Sequence, residues 1–137
     1  MDHLEGRKPF GDGECVALPQ AVTTLGHTSG WRPGPRVVDL SYLNPGTVIA
    51  NFVFDAAGRG RFPNRHGYHA ALFVEFGPRS QSTGRPMSIV MMDQWKNRKP
   101  TNTVHARTVG ARGDRNPGQG NPYADADNAD KFYVVVR

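Results

Sequence analysis

The sequence predicts an α+β domain in which one N-terminal helix packs on an antiparallel β-sheet. Three observations carry that prediction. Helix-compatible residues are confined to one early stretch, Gly13 to Val22. Several later segments are rich in β-branched and aromatic residues and are bounded by glycine, proline and asparagine. Gly 16 and Pro 11 in a chain of 137 residues demand many turns and argue against a helical bundle. This length suits one domain, 1–137, with a single core.

Taken in order, residues 1–10 read as a flexible arm. The helix begins near Gly13–Cys15 and runs through Val16, Ala17, Leu18, Ala21 and Val22. Pro19 conflicts with a helix interior, because it lacks an N–H and crowds the preceding turn. It is tolerable if Cys15 lies in the first turn or the helix kinks there. Residues 26–36 read as a loop around Trp31. Asn44-Pro45-Gly46 is a turn signal that leads into a strand, Thr47–Phe54. A basic loop, Asp55–Gly67, separates it from Tyr68–Phe76, whose nearly continuous apolar run predicts a central strand buried on both faces. Ser88–Trp95 is a third strand, Thr103–Val109 a fourth, and Ala111–Asp130 a long polar loop. Phe132-Tyr133-Val134-Val135-Val136 closes the chain as a strand.

Composition narrows the function classes. No apolar run approaches the length needed to span a bilayer, so no membrane span is expected. Met1 is followed by no apolar h-region, which predicts synthesis in the cytoplasm without a signal peptide. A single cysteine excludes an intramolecular disulfide and a cysteine-based zinc cluster. The formal charge of +5 favours an anionic partner such as nucleic acid, anionic lipid or bacterial cell wall. The basic residues are scattered and form no recognition helix or nucleic-acid motif, so nucleic acid is not the expected partner.

The chemistry centres on Cys15. A thiol becomes a strong nucleophile as the thiolate, and the free N–H groups of a helix start favour negative charge. Such a sulfur needs an imidazole beside it, first to take its proton and later to protonate the leaving amine. His69 opens the most hydrophobic strand, where a polar side chain is costly unless paired. A hairpin symmetric about Gln81 places His69 opposite Asp93 on one face. A carboxylate there can accept the Nδ1 proton and stabilise the imidazolium. A one-residue slip or a bulge would substitute Gln94, which is therefore the alternative third member. Nothing in this constellation calls for a metal or other cofactor.

Four segments, Gly13-Glu14-Cys15-Val16-Ala17-Leu18, Asn44-Pro45-Gly46-Thr47, Tyr68-His69-Ala70-Ala71-Leu72-Phe73-Val74 and Asp93-Gln94-Trp95, occur in that order. Together they resemble the NlpC-type and CHAP-type amidases, circularly rearranged relatives of papain that cut bacterial peptidoglycan. The resemblance is closest to the small versions that are similar to type VI secretion amidase effectors. It implies a papain-like fold with a catalytic helix, Cys15 as nucleophile, His69 as general base, Asp93 as orienting acid, and the Cys15 N–H as one oxyanion donor. It also implies hydrolysis of an amide bond in the peptide stem of peptidoglycan, the bond between D-glutamate and a diamino acid being the usual target. An antibacterial effector of this kind would be secreted to the periplasm or wall of target cells and matched by an immunity protein that plugs its cleft. Pro19 and the long basic loop before His69 depart from the family pattern. Trp31 and Trp95 are candidate groove walls, and Arg65, with Arg59 and Arg61, is a candidate holder of stem carboxylates. Core packing competes for the tryptophans and a solvated loop for the arginines.

Other features weigh less. Asp125-Ala126-Asp127-Asn128-Ala129-Asp130 has calcium-like spacing but lacks the glycine and distal glutamate of such loops, so it reads as polar surface. Arg112-Gly113-Asp114 reads as a chance tripeptide. His66 lies in a loop with no opposed acid, and His3, His27 and His105 belong to no constellation. No Gly-x-Ser-x-Gly elbow supports a serine hydrolase. A basic binding module without activity, and acyl transfer on the same fold, are the competing classes.

Overall fold

The apolar run after Tyr68 becomes an interior strand of the sheet. In the computed structural model, which describes residues 4–11, 13–63, 67–95 and 103–137, β5 (Ala70–Phe76) pairs with β2 (Val48–Ala50) on one side and β6 (Ser88–Asp93) on the other. β1 (Arg32–Arg36), β7 (His105–Gly110) and β8 (Tyr133–Val136) complete a six-stranded sheet of order β1-β8-β2-β5-β6-β7. Every pairing in it is antiparallel. Strand alternation sends Ala70 and Leu72 to one core cluster with Leu18, Trp31, Phe52, Phe62 and Met92. Ala71 and Phe73 join a second cluster with Val37, Val38, Ile49, Met91 and Phe132. The protein is thus mostly antiparallel sheet with one short helix, α1 (Ala17–Val22). Among the described residues no helix is long and apolar enough to cross a membrane.

Several expected elements change. The helix starts at Ala17 rather than near Cys15, with Val16 as its N-cap. Pro19 therefore lies in the first turn, where its missing N–H costs nothing. The expected loop at 26–36 contains β1, Arg-Pro-Gly-Pro-Arg. Two prolines hide a strand from propensity, and they are tolerated because β1 is an edge, bonded only to β8. Gly34 is needed there, since a Cβ would lie 3.0 Å from the Val134 carbonyl oxygen. The arm is docked from residue 4 onward: Leu4 is buried, and Gly6 and Arg7 exchange backbone hydrogen bonds of 2.7 and 2.8 Å with Val104. The region 111–130 holds short 3-10 turns at Asp125–Asp127 and Ala129–Lys131 instead of being irregular throughout.

The expected strand Thr47–Phe54 is interrupted at Asn51. Beyond it β3 (Val53–Phe54) pairs with β4 (Gly60–Arg61) as a separate two-stranded sheet. Asn51 is fully buried, and its side chain replaces the lost ladder. Its Oδ1 accepts from the His69 N–H at 2.9 Å, and its Nδ2 donates to the carbonyls of Asp125 at 3.1 Å and Lys131 at 2.8 Å. One amide thereby joins the start of β5 to the C-terminal segment. Removing it leaves buried backbone groups without partners. Asn51→Ala is expected to lower the unfolding free energy by about 2–4 kcal/mol, read as a shift in the urea midpoint.

Candidate active site

The site is built where β5 begins and β6 ends. β6 finishes at Asp93, and alternation sends the side chains of Asp93 and Gln94 to opposite sides. Both are 0% exposed, so each would be costly there without polar partners. Asp93 Oδ2 lies 2.8 Å from His69 Nε2 and accepts from Arg107 Nε at 2.7 Å. Gln94 turns the other way. Its Oε1 accepts from the Phe10 N–H at 2.6 Å, and its Nε2 donates to the carbonyls of Phe10 and Glu14, each at 2.9 Å. It therefore holds the turn that carries Cys15. Gly13 in that turn has φ of +87°, in the left-handed region that favours glycine.

Cys15 is half-buried and lies close enough to His69 to help raise its pKa. Since Asp93 occupies Nε2, the Nδ1 side of the ring is left for the sulfur. The expected use of the ring is thus reversed: the acid holds Nε2, not Nδ1, opposite to the arrangement of serine-protease triads.

The expected register also shifts. Leu72 faces Met92 and Phe73 faces Met91, so pairing next to the site is centred on residue 82 rather than 81, and a bulge follows between Phe73 and Glu75. His69 and Asp93 are therefore diagonal neighbours instead of directly opposed. The displacement along the partner strand is even, so the shared face survives. Gln94 does not replace Asp93, because its amide is consumed by Phe10 and Glu14.

Electrostatics follow from burial and pairing. Burial alone would lower the His69 pKa. The hydrogen bond to Asp93, the hydrogen bond to Cys15 and the charges of both more than reverse this and raise it to about 9. For Asp93, burial would raise the pKa, but the His69 hydrogen bond and charge, reinforced by Arg107, hold it below the usual carboxylate value. His69 is consequently an imidazolium at neutral pH, paired with a carboxylate.

Arg107 was legible in the sequence only as one of many scattered cations. On β7 it faces Met91, while Asp93 faces His105, so it reaches Asp93 on the diagonal. Its Nη2 donates to the Ala126 carbonyl at 3.0 Å and its Nη1 to Asp127 Oδ1 at 3.3 Å. The acidic run 125–130, expected as polar surface, is thereby partly buried beside the site. Asp125, Asn128 and Asp130 are all buried, and burial pushes the Asp125 carboxyl up, Lys131 opposing it. Asn51 was a second omission, hidden within an apparent strand. The signal for either residue is register, which single-sequence pattern does not supply.

The remaining candidates separate cleanly. Trp95 is half-buried, with its ring 6.0 Å from that of His69 and the Arg107 guanidinium 5.3 Å above it, so it borders the site. Trp31 is 0% exposed and packs 5.3 Å from Phe62, which makes it core rather than a groove wall. Arg65 and His66 lie outside the described residues, as does His3. His105 bridges Thr103 at 2.6 Å and Glu5 at 2.7 Å, tying the N-terminal arm to β7. Among the described residues no cluster of three or more potential ligands could hold a metal ion.

Comparison with known proteins gives concordant matches. The family model described as domesticated amidase effector 2 matches residues 2–135. A type VI secretion amidase effector 2 protein of Salmonella typhi is 40% identical over 84 residues, which are 61% of this chain and 53% of that protein. The alignment thus spans about half the length of that curated relative. A solved structure of a type 6 secretion amidase effector 2 superposes with a TM-score of 0.76 at 29% identity, covering 98% of this chain and 89% of the other.

The pair makes stability depend on pH. His69 binds its proton more tightly when folded, so its contribution is complete below about 6.5 and disappears as pH rises through about 9. Asp93 behaves oppositely: its contribution is complete above about 3.9 and is lost as pH falls through its depressed native value. Chemical denaturation is expected to show a plateau near pH 4–6.5. Stability at pH 9.5 should be lower by on the order of 3 kcal/mol. Asp93→Asn should flatten the alkaline slope.

Proposed function

Because the chain belongs to the domesticated amidase effector 2 family, we propose that it is a cysteine amidase that hydrolyses an amide bond in the peptide stem of peptidoglycan. One observation carries the proposal: the fold brings Cys15 beside His69, whose Nε2 lies 2.8 Å from a buried carboxylate. In a papain-like mechanism the sulfur, its proton already surrendered to the His69 imidazolium, attacks the scissile carbonyl. The Cys15 N–H is one donor to the oxyanion that forms. Gln94 is not the second donor, because both its N–H groups are already given to carbonyls. The tetrahedral intermediate collapses as His69 protonates the departing amine. Water, with His69 now acting as base, then hydrolyses the thioester and restores the enzyme. Asp93 stabilises the imidazolium throughout, and Arg107 fixes the carboxylate. The Trp95 ring forms one wall for the stem.

On this proposal the protein acts at the wall of target cells, and a producer bacterium would need an immunity protein shaped to the cleft. The test is digestion of purified peptidoglycan followed by mass analysis of the fragments. Wild-type protein is expected to release stem-cleaved muropeptides, and Cys15→Ala is expected to be slower by about a thousandfold or more. Equal cleavage by the two proteins contradicts the proposal, and transfer of the acyl group to an added amine in preference to water marks an acyltransferase.

Gln94 supplies a second prediction. Gln94→Leu frees the turn that presents the sulfur, and a displacement of order 1 Å costs up to about a hundredfold in rate. The loss is expected in kcat more than in KM. Gln94→Glu should not restore it, because a carboxylate would face the Phe10 and Glu14 carbonyls.

A further inference from the structure

A second cleft lies apart from the catalytic line. It has a volume of about 530 Å³ and is lined by Ser29 and Arg32 on one side and by the β3–β4 hairpin, Val53 to Asp55 and Arg59 to Arg61, on the other. None of these residues touches Cys15, His69 or Asp93 in the hydrogen bonds above. The hairpin is nevertheless joined to the site, because Val53 follows Asn51, which binds the His69 backbone, by two residues.

The charges in this cleft do not cancel. The only carboxylate among its described lining residues, Asp55, is consumed locally: Oδ1 accepts from the N–H groups of Ala57 and Arg59, each at 2.9 Å, and Oδ2 accepts from Arg59 Nε at 3.2 Å. Arg61 forms no ion pair or hydrogen bond through its side chain with any described residue. Arg32 is held from behind, with its Nη1 donating to the carbonyls of Ser29 at 3.1 Å and Trp31 at 2.9 Å. Such a guanidinium is oriented in advance and loses little freedom on binding an anion. Beside the two cations lies an apolar surface, Val53 and the exposed ring of Phe54, itself braced edge-on by Tyr133 at 5.3 Å. The hairpin has no room to collapse inward, because a Cβ on Gly60 would sit 2.6 Å from Pro33 Cγ.

One oriented cation, Arg32, and one uncompensated cation, Arg61, next to an exposed apolar surface suit a short chain that carries carboxylates on an apolar body. We propose that this cleft is a binding subsite for an acidic peptide, and, resting on the amidase proposal above, that it holds a carboxylate-bearing portion of the wall peptide away from the scissile bond. Arg32 and Arg61 bind the carboxylates, and Phe54 and Val53 take the apolar part.

The test uses Cys15→Ala protein, so that nothing turns over, and soluble peptide stem prepared from wall by an unrelated enzyme. The peptide is titrated as the native acid and with its carboxyls amidated, and the backbone amides of Phe54, Asp55 and Gly60 are followed by NMR. The native peptide is expected to shift these amides saturably. Amidation, or Arg32→Ala with Arg61→Ala, should weaken binding about tenfold or more, and Arg115→Ala should leave it as it was. Should Arg32→Ala lower the melting temperature, Arg32→Lys keeps the charge, loses the planar fork and should still weaken binding. Equal binding of native and amidated peptide, unchanged binding by the double variant, absence of shifts, or full displacement by equimolar inorganic phosphate would each overturn the subsite. Wall cleavage by the wild type is scored separately. Binding in the cleft without wall cleavage leaves the acidic-peptide site standing and removes the amidase; cleavage without cleft binding does the reverse.

Discussion

A carboxylate with no exposure at the end of β6 is the constraint on which the site depends. An ionised group in that position is tolerable only if it is paired, and one oxygen of Asp93 is shared by an imidazole and a guanidinium. The sharing has consequences in both directions. It keeps Asp93 charged despite burial, and the charge keeps the proton on His69. Arg107 in turn anchors residues 126 and 127, so the segment beside the site is held by the same cation that stabilises the acid. Removing Asp93 leaves the buried imidazolium without its counter-ion, a larger loss than that of a surface ion pair.

β6 serves as the organising strand because its last residue and the one after it face opposite ways. Asp93 recruits β5 and β7, and Gln94 recruits the N-terminal turn. These contacts join residues 24, 14 and 80 positions apart in the chain. Cys15 and His69 therefore meet only once the sheet is assembled, and the unfolded chain holds no preformed site. Cys15 sits just before a six-residue helix, so its position comes from the Gln94 clamp and the Gly13 turn more than from the helix. That differs from a sulfur set into the first turn of a long helix, and it makes an amide on a neighbouring strand part of the machinery.

How far the sequence discloses this depends on which physical signal is local. β5 was legible because a nearly continuous apolar run, broken only by Glu75, has few alternatives. The His69–Asp93 contact was legible because a histidine in an apolar strand is costly unless paired and the hairpin places an acid on the same face. The hairpin centre was misplaced by one residue, yet His69 and Asp93 still share a face, because strand geometry has a period of two. β1 was invisible because its two prolines are forbidden in a central strand and allowed at an edge, a distinction that requires the strand order. Trp31 failed as a groove wall for a similar reason, since a tryptophan looks alike in sequence whether it packs on Phe62 or on a ligand. Arg107 and Asn51 carry no local signature at all. Their roles arise from a diagonal across two strands and from a break in a third.

The account rests on a histidine that keeps its second proton at neutral pH because a buried carboxylate holds its far nitrogen. The most direct measurement is a pH titration of the His69 ring nitrogens by NMR. The account predicts protons on both nitrogens at pH 7, a transition near 9, and a large fall in that transition in Asp93→Asn. A ring that titrates near 6.5, the ordinary value for histidine, or one indifferent to Asp93→Asn, would contradict it.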